Sequence, residues 1–514
     1  MTAPLHAAGT PADPTAYVGN RAGHLEHRGI DMIPPAQRHS SAGEFLWIWH
    51  SAQFSLGTVV LGALPIAFGL SWWASVSAVL LGLLLGTAVF APLVRFGKRT
   101  GANDPISSGA HFGVRGRMIA NLITIVVALG FFAIAVWTGA SAMLVAGQRL
   151  LGTPTDAAAL AVAIPIVAGI VAIVAVYGHS TLLAAYKLMT LIGGVVLLAL
   201  VLVLAPQFDP AHAGGLYVLD GFWRTWLLAV SFAATLPISY ATFQGDYSRY
   251  LRPEVSDRSA MLWTGANMYT SNAVALLVGA YVTTLLADPD QPWVIGLANV
   301  VPTWFAAVVV LFGLVGTVPQ GGLCLYAAGL SANSVFWRSS RAMATLAMSV
   351  MGTAILYLGA IAYDAIDSIS AFVLVLLVLV SPWAAIMLVG FALHRGQYDP
   401  LDLHTFATPH RRGRYWYTRG VNPRSICAFV PAVTLGLLLV DNTLYTGPLA
   451  GLTGGIDLSW AVPFLVAALL YTLANRIAPD RTALASSPPT EAGDDTAQPD
   501  ERRSHRPPAA RRPW

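Results

Sequence analysis

Apolar residues in this chain do not alternate with polar ones; they arrive in blocks. Runs of roughly twenty apolar residues, separated by short polar stretches, recur from residue 45 to residue 475. Strict alternation would predict half-buried strands, and a stripe of period 3.6 a helix with one wet face. Blocks that are apolar on every side predict helices without a water-facing surface, each long enough to cross a ~30 Å hydrocarbon core. Twelve such spans are expected, at 45–70, 72–94, 118–147, 157–177, 186–205, 223–244, 261–286, 300–329, 342–363, 369–393, 425–440 and 458–475. The fold class is therefore an all-α polytopic membrane protein with 12 transmembrane helices.

Composition agrees. Of 514 residues, 56% are hydrophobic and 11% charged, with a mean hydropathy of +0.63. A soluble chain is roughly a quarter charged, so a soluble enzyme, a collagen, a disulfide framework and a disordered chain are all excluded. Cys324 and Cys427 lie far apart and read as small packing residues. The first forty residues are polar and show no cleavable signal peptide. The segment after 476, rich in Pro, Ala, Asp and Arg, is expected to be disordered.

The net charge of +4 acquires meaning only from where the charges fall. With the connections numbered from the N-terminus, all but two of the 29 Lys and Arg residues lie on the N-terminal side; the exceptions are Arg149 and Arg224. Asp156, Asp209, Asp220, Asp288, Asp290, Asp364, Asp441 and Asp457 fall on the other side. The positive-inside rule then places both termini in the cytoplasm of a multi-pass cell-membrane protein. Basic residues spread over loops in this way do not form a nucleic-acid face. The Arg-rich stretch 411–424, between two spans, suits anionic lipid headgroups instead.

Three spans carry polar or helix-breaking residues where these are expensive. Span 1 holds His50, Ser51, Gln53, Ser55 and Thr58, then Gly57, Gly62 and Pro65. Span 6 holds Thr235, Pro237, Ser239 and Tyr240, and span 8 holds Gly316, Thr317, Pro319, Gln320, Gly321 and Gly322. Freed backbone groups at membrane depth are tolerated only inside protein or along a cavity. Interruptions in spans 1 and 6, at matching positions of two five-helix halves, are the sequence pointer to an inverted-repeat transporter with a midplane site. That site is flat and uncharged. Trp49, Phe54, Phe131, Phe132, Trp137 and Tyr240 offer aromatic faces, and Gln53, Gln320, Ser239 and Thr317 offer hydrogen bonds. Aromatic faces stack planar rings, and an amide matches an amide-like edge, so a neutral heterocycle fits better than an amino acid or an organic anion. An intramembrane enzyme would need paired carboxylates, a histidine metal cluster or an activated nucleophile, and a channel would need a continuous polar lining. The spans carry none of these signatures, so no catalytic residue, metal ligand or cofactor is expected.

At this point five blocks, in order, resemble the nucleobase:cation symporter-1 family, in its purine–cytosine permease branch. They are LEHRGIDMIPPAQR (25–38), FLWIWHSAQFS (45–55), GAHFGVRGR (109–117), GDYSRYL (245–251) and SPWAAIMLVGFALHRGQYD (381–399). The resemblance covers most of residues 25–430 and implies a leucine-transporter-like arrangement of 5+5 inverted helices plus two C-terminal helices. It divides the chain into an N-terminal segment (1–42), a transporter core (43–400), a loop with helices 11 and 12 (401–476) and a tail (477–514). It implies uptake of a neutral nucleobase, cytosine or a purine, by cation symport through alternating access. Another neutral heterocycle, such as allantoin, a hydantoin or a vitamin precursor, is the alternative substrate.

The resemblance also assigns positions. Gln53 matches an amide position, Phe131 a stacking aromatic and Gln320 a second amide, while Ala135 stands where a polar residue is frequent. With Phe54, Pro237, Ser239, Tyr240 and Thr317 these make up the expected substrate site. Sodium-coupled members carry a Ser/Thr pair six and five residues before the second amide; here those positions are Leu314 and Val315. Proton coupling is therefore favoured over sodium, with Thr317 as a possible sodium ligand if the register differs. His50, Asp246 and Arg249 are the coupling or gating candidates, the last two one helical turn apart.

Overall fold

The computed structural model describes residues 29–479, except 178, 288–290, 337, 363–364, 406–412, 441–444 and 454–457, and leaves aside the side chains at 179–180, 360–362, 365–371 and 373–375. The first 28 residues, Asp364 and the C-terminal unit Asp480–Trp514 lie outside the described residues, and with them most of the tail expected to be disordered.

Every expected span falls on helix. Span 1 begins with α1 (Phe45–Gln53) and resumes as α2 (Leu56–Val59), which runs through a 3-10 turn into Leu64–Ala67. There follow α3 (Trp72–Phe90), α4 (Met118–Leu151), α5 (Ala157–Tyr177), α6 (His179–Leu204), α7 (Phe222–Ser239) and α8 (Gln244–Ser248). The second half comprises α9 (Asp257–Thr283), α10 (Thr303–Val335), α11 (Arg341–Ala362), α12 (Ala365–Leu393), α13 (Pro423–Leu439) and α14 (Ala461–Ile477). Strand pairing among the described residues is limited to the isolated bridges Ser40–Leu251 and Thr418–Val421.

Eight of the described helices are long and apolar enough to cross a membrane. α9 is not among them, although it is 27 residues long. It carries Thr264, Asn267, Ser271 and Asn272, all buried against other helices, so its polarity faces protein and not lipid. α6 shows the opposite design. Leu188, Leu191, Val195, Leu198 and Leu202 repeat at three- and four-residue spacing along an exposed stripe, while Leu182, Tyr186, Leu197 and Leu200 are buried on the other side. Such a stripe belongs against hydrocarbon.

The interruptions differ in kind. Span 1 breaks fully: Phe54 has φ −79° and ψ 62°, and Ser55 is extended at φ −139° and ψ 154°. The Ser55 hydroxyl then caps α2, accepting from the Thr58 N–H at 3.4 Å. The break thus precedes Gly57, Gly62 and Pro65. Span 6 only tightens. Pro237 removes an N–H from the ladder, and the helix passes through a 3-10 turn, Tyr240–Phe243, into α8. Span 8 stays continuous, with Pro319 inside the 33-residue α10.

α10 packs along α4, α7 along α3, and α9 across α1, α3 and the outer part of span 1, whereas α13 and α14 pack on one another and on α12. At the basic end the segment before α1 is bound by backbone bonds: Ile33 N–H to Gly101 O at 2.9 Å, Ser40 N–H to Tyr250 O at 2.9 Å and Arg252 N–H to Ser40 O at 3.0 Å. His111 bonds the Tyr398 hydroxyl at 3.0 Å. Blocks distant in sequence therefore meet at one end of the bundle.

Candidate functional site

The break in span 1 is held open by a directed chain of hydrogen bonds. The Ser55 hydroxyl donates to Oε1 of Gln320 at 2.6 Å. Nε2 of Gln320 donates to the Thr58 hydroxyl at 3.2 Å, which donates to Oε1 of Gln53 at 3.0 Å. The chain ends on Nε2 of Gln53, a buried donor without a partner. Gly57 makes this possible, because a Cβ there would stand 2.3 Å from Oε1 of Gln320.

Facing this network is an aromatic wall. The rings of Phe131 on α4 and Tyr240 lie 5.2 Å apart at 35°. Trp49 meets Tyr240 edge-on at 6.3 Å and Phe243 does so at 5.5 Å. The Trp49 indole is itself fixed by donating to the Thr264 hydroxyl at 2.9 Å. The Tyr240 hydroxyl is buried beside the amides of Gln53 and Gln320 and makes no hydrogen bond of good geometry to either. Buried polar atoms in native proteins nearly always have partners. Two of them, Nε2 of Gln53 and the Tyr240 hydroxyl, converge here on an aromatic face where a helix is interrupted.

The other expected residues are distributed more widely. Phe54, within the break, turns its side chain to Gly193 and Gly194 of α6, and its ring stands at 87° to that of His50 with centroids 5.2 Å apart. Pro237 and Ser239 are buried just before the 3-10 turn, and the Ser239 hydroxyl donates to Leu236 O at 2.8 Å. Thr317 lies between α10 and α4, donating to Gly313 O at 2.8 Å and to Ala135 O at 3.2 Å. His50 stands on the flank of the bundle, with Nδ1 at 3.0 Å from Leu46 O and Nε2 at 3.3 Å from the Thr270 hydroxyl. Asp246 is buried in α8. The Arg249 guanidinium reaches Gly29 O at 3.0 Å and the Tyr326 hydroxyl of α10 at 3.2 Å.

Along α10 the register departs from expectation. Val315 is 40% exposed, and Leu314 packs on the cluster of Val145, Ala298 and Val310. The residues facing the break are Gly313, against Leu56, Gly316, against Phe54 and Ser55, and Gln320. The missing oxygens at 314 and 315 thus say nothing about a cation at the break. Ser55 and Thr58, which complete the network, stand out in the sequence only as polar residues of span 1. The signal that would have found them is an N-cap serine inside an apolar span.

The chain is similar to known proteins over most of its length. A purine-cytosine permease by name, YxlA of Bacillus subtilis (strain 168), is 26% identical over 458 residues, covering 87% of this chain and 95% of that protein. The allantoin permease of Saccharomyces cerevisiae (strain ATCC 204508 / S288c) is 23% identical over 138 residues, 27% of this chain and 22% of that protein. Among solved structures, Mhp1, a nucleobase-cation-symport-1 family transporter in a closed conformation with bromovinylhydantoin bound, shares the fold. Its TM-score is 0.71 at 19% identity, covering 88% of this chain and 95% of that one. A Na+-coupled sialic acid symporter shares the fold more loosely, with a TM-score of 0.57 at 10% identity over 87% of this chain and 92% of that one. The family model described as permease for cytosine/purines, uracil, thiamine, allantoin matches residues 32–463. Apolar helices, an interrupted first span and a match over most of the chain converge: the protein belongs to this nucleobase:cation symporter-1 family of multi-pass membrane transporters, and it is not an enzyme.

Proposed function

We propose that this protein imports a neutral nucleobase, cytosine or a purine, together with a proton, by alternating access across the cell membrane with both termini in the cytoplasm. Twelve spans, ten of them in two inverted halves, complete the reading. The observation that carries it is the pairing of the Phe131–Tyr240 aromatic wall with the unpartnered Gln53 Nε2 and Tyr240 hydroxyl. A planar base stacks on the former, and its edge accepts from the latter. No basic or acidic side chain lies among these residues, which favours an uncharged ring. Proton over sodium is supported by α10: Gly316, at the break, has no side-chain oxygen, and the Thr317 hydroxyl, turned to α4, is engaged with two carbonyls. Sodium wants a shell of oxygens.

A second reading, an allantoin or hydantoin carrier, is supported by Ala135. Its methyl lies 3.7 Å from the Cβ position of Gly321 and gives no hydrogen bond to a ring edge. Both readings are tested by uptake of radiolabelled cytosine, adenine, hypoxanthine, uracil and allantoin into proteoliposomes, with inward proton and inward sodium gradients imposed separately. Accumulation of one nucleobase under the proton gradient alone is expected. Accumulation only of allantoin would select the second reading, and accumulation only under the sodium gradient would overturn proton coupling.

A further inference from the structure

One buried carboxylate outside the substrate site lacks a charge partner. Asp104 opens the short helix Asp104–Ser107, in the connection between α3 and α4, and is fully buried. Its Oδ2 accepts the N–H of Gly245 in α8, while Oδ1 has no hydrogen-bond partner. Gly245 allows the approach, since a Cβ there would lie 2.9 Å from Oδ1 and 2.5 Å from the Asp104 nitrogen.

The elements packed around this helix carry other titratable groups: Arg95, Lys98 and Arg99 on Val94–Thr100, His111 on Gly109–Phe112, and Arg117 at the start of α4. Asp246, Tyr247 and Arg249 follow on and after α8, with Tyr240 on the 3-10 turn and Tyr326 on α10. None of them bonds to Asp104. Lys98 and Arg99 are held by Asp257, each at 2.7 Å. Arg117 reaches Ser334, and Arg249 reaches Gly29 and Tyr326.

A carboxylate without a cation favours its neutral form when buried. Burial raises the Asp104 carboxyl to about 7, with the Gly245 N–H pulling the other way. The span 6 stretch that leads from the substrate site to Asp104 carries three more buried polar atoms without a partner: the Tyr240 hydroxyl, Oγ1 of Thr242 and Oε1 of Gln244. Polar groups buried in this way within an apolar chain are candidates for a functional role.

We propose that Asp104 carries the symported proton, taking it up by way of the substrate site and releasing it when α8 moves away from it. This rests on the proton-coupled reading above. On release the carboxyl O–H bond breaks, its electron pair stays on Asp104, and water on the cytoplasmic side takes the proton. Charging Asp104 becomes favourable only when that water reaches it. Release is thereby tied to opening.

The test compares the wild type with Asp104→Asn and Asp104→Glu in proteoliposomes, using the radiolabelled base that the wild type accumulates. Each is measured for accumulation under an inward proton gradient and for exchange without a gradient, from pH 5.5 to 8.5. Asp104→Asn is expected to lose accumulation at least about tenfold, keep exchange and lose its pH dependence. Asp104→Glu restores accumulation with a shifted pH midpoint. Wild-type accumulation by the Asn variant overturns the proposal. So does joint loss of exchange and accumulation in a variant that elutes as a folded monodisperse protein, which would mean a structural role. Failure of the wild type itself to use a proton gradient removes the coupling reading before Asp104 is reached.

Discussion

The Ser55 hydroxyl donates to Oε1 of Gln320 across 2.6 Å, joining the break in span 1 to an unbroken helix. One end of this bond belongs to the residue that caps α2, and the other to a helix that runs on past its own proline. The bond therefore sets the distance between the interrupted element and the continuous one. It also holds the Gln320 amide so that its other end reaches Thr58 and, through Thr58, Gln53.

Ser55→Ala should loosen the whole chain of bonds. Hydrogen bonds between membrane helices average about 0.6 kcal/mol, and an orphaned buried acceptor adds about 1–3 kcal/mol. A fall of several degrees in melting temperature and a several-fold loss of uptake are expected, with Ser55→Thr recovering part of both. Gly57→Ala should be worse, since its methyl displaces the Gln320 carbonyl directly. Unchanged uptake in both variants would show that the network does not support the site.

Phe131→Ala and Tyr240→Phe separate stacking from hydrogen bonding. Base–aromatic stacking is worth about 1–3 kcal/mol, so Phe131→Ala should raise KM by roughly 5- to 150-fold. Tyr240→Phe keeps its ring contacts and loses only the unpartnered hydroxyl. It should raise KM by about tenfold for bases with an acceptor on that edge. Equal KM values for wild type and Tyr240→Phe across the substrate panel would remove the hydroxyl from recognition.

Asp104 gives stability an unusual pH slope. Its carboxyl is raised to about 7, against ~3.9 in an unfolded chain. Between those values the native state keeps a proton that the unfolded state has shed. This group's contribution therefore falls as pH rises from about 4 to about 7 and is flat above that. Asp104→Asn has no such slope. Its melting temperature relative to wild type should be higher at pH 8 than at pH 5, as read by scanning fluorimetry in detergent.

Asp257, at the start of α9, should behave in the opposite sense. Burial alone would raise its carboxyl, but Lys98 and Arg99 outweigh that and hold it below its usual range. Stability from this clamp is present above the ordinary carboxylate value and is lost as pH falls through the lowered one. Because Arg99 is half exposed, Asp257→Asn should cost no more than about 1 kcal/mol, and the difference should shrink in high salt.

The spans were legible because membrane helices announce themselves by apolar blocks, and α5 matches its expected range, Ala157–Tyr177, to the residue. The position of the break was not. Gly57 and Pro65 drew attention, yet the chain turns at Phe54–Ser55, where the serine gains a capping bond. Outside a regular helix the direction of Phe54 does not follow from spacing, and its side chain faces α6. The register of α10 failed for a related reason. A helix apolar all round offers no wet face to fix which residues point inward, so Leu314 and Val315 could not be told from Gly316 and Thr317. Asp104 is not legible as a site in the sequence, because burial of a short connection under α8 leaves no mark in local sequence.

The severed first span has a mechanical consequence. A continuous helix resists bending because each turn is bonded to the next, and α10 behaves as a strut of this kind. Between Gln53 and Leu56 span 1 has no such stiffness, so its first half can swing like a lever on a fulcrum at Ser55 without giving up one rung of its own ladder. What restrains the lever is its packing on α6 and α9, the backbone bonds of the segment before it, and side-chain bonds such as Ser55 on Gln320 and Trp49 on Thr264. A molecule seated among these same groups is in a position to set how tightly the lever is held.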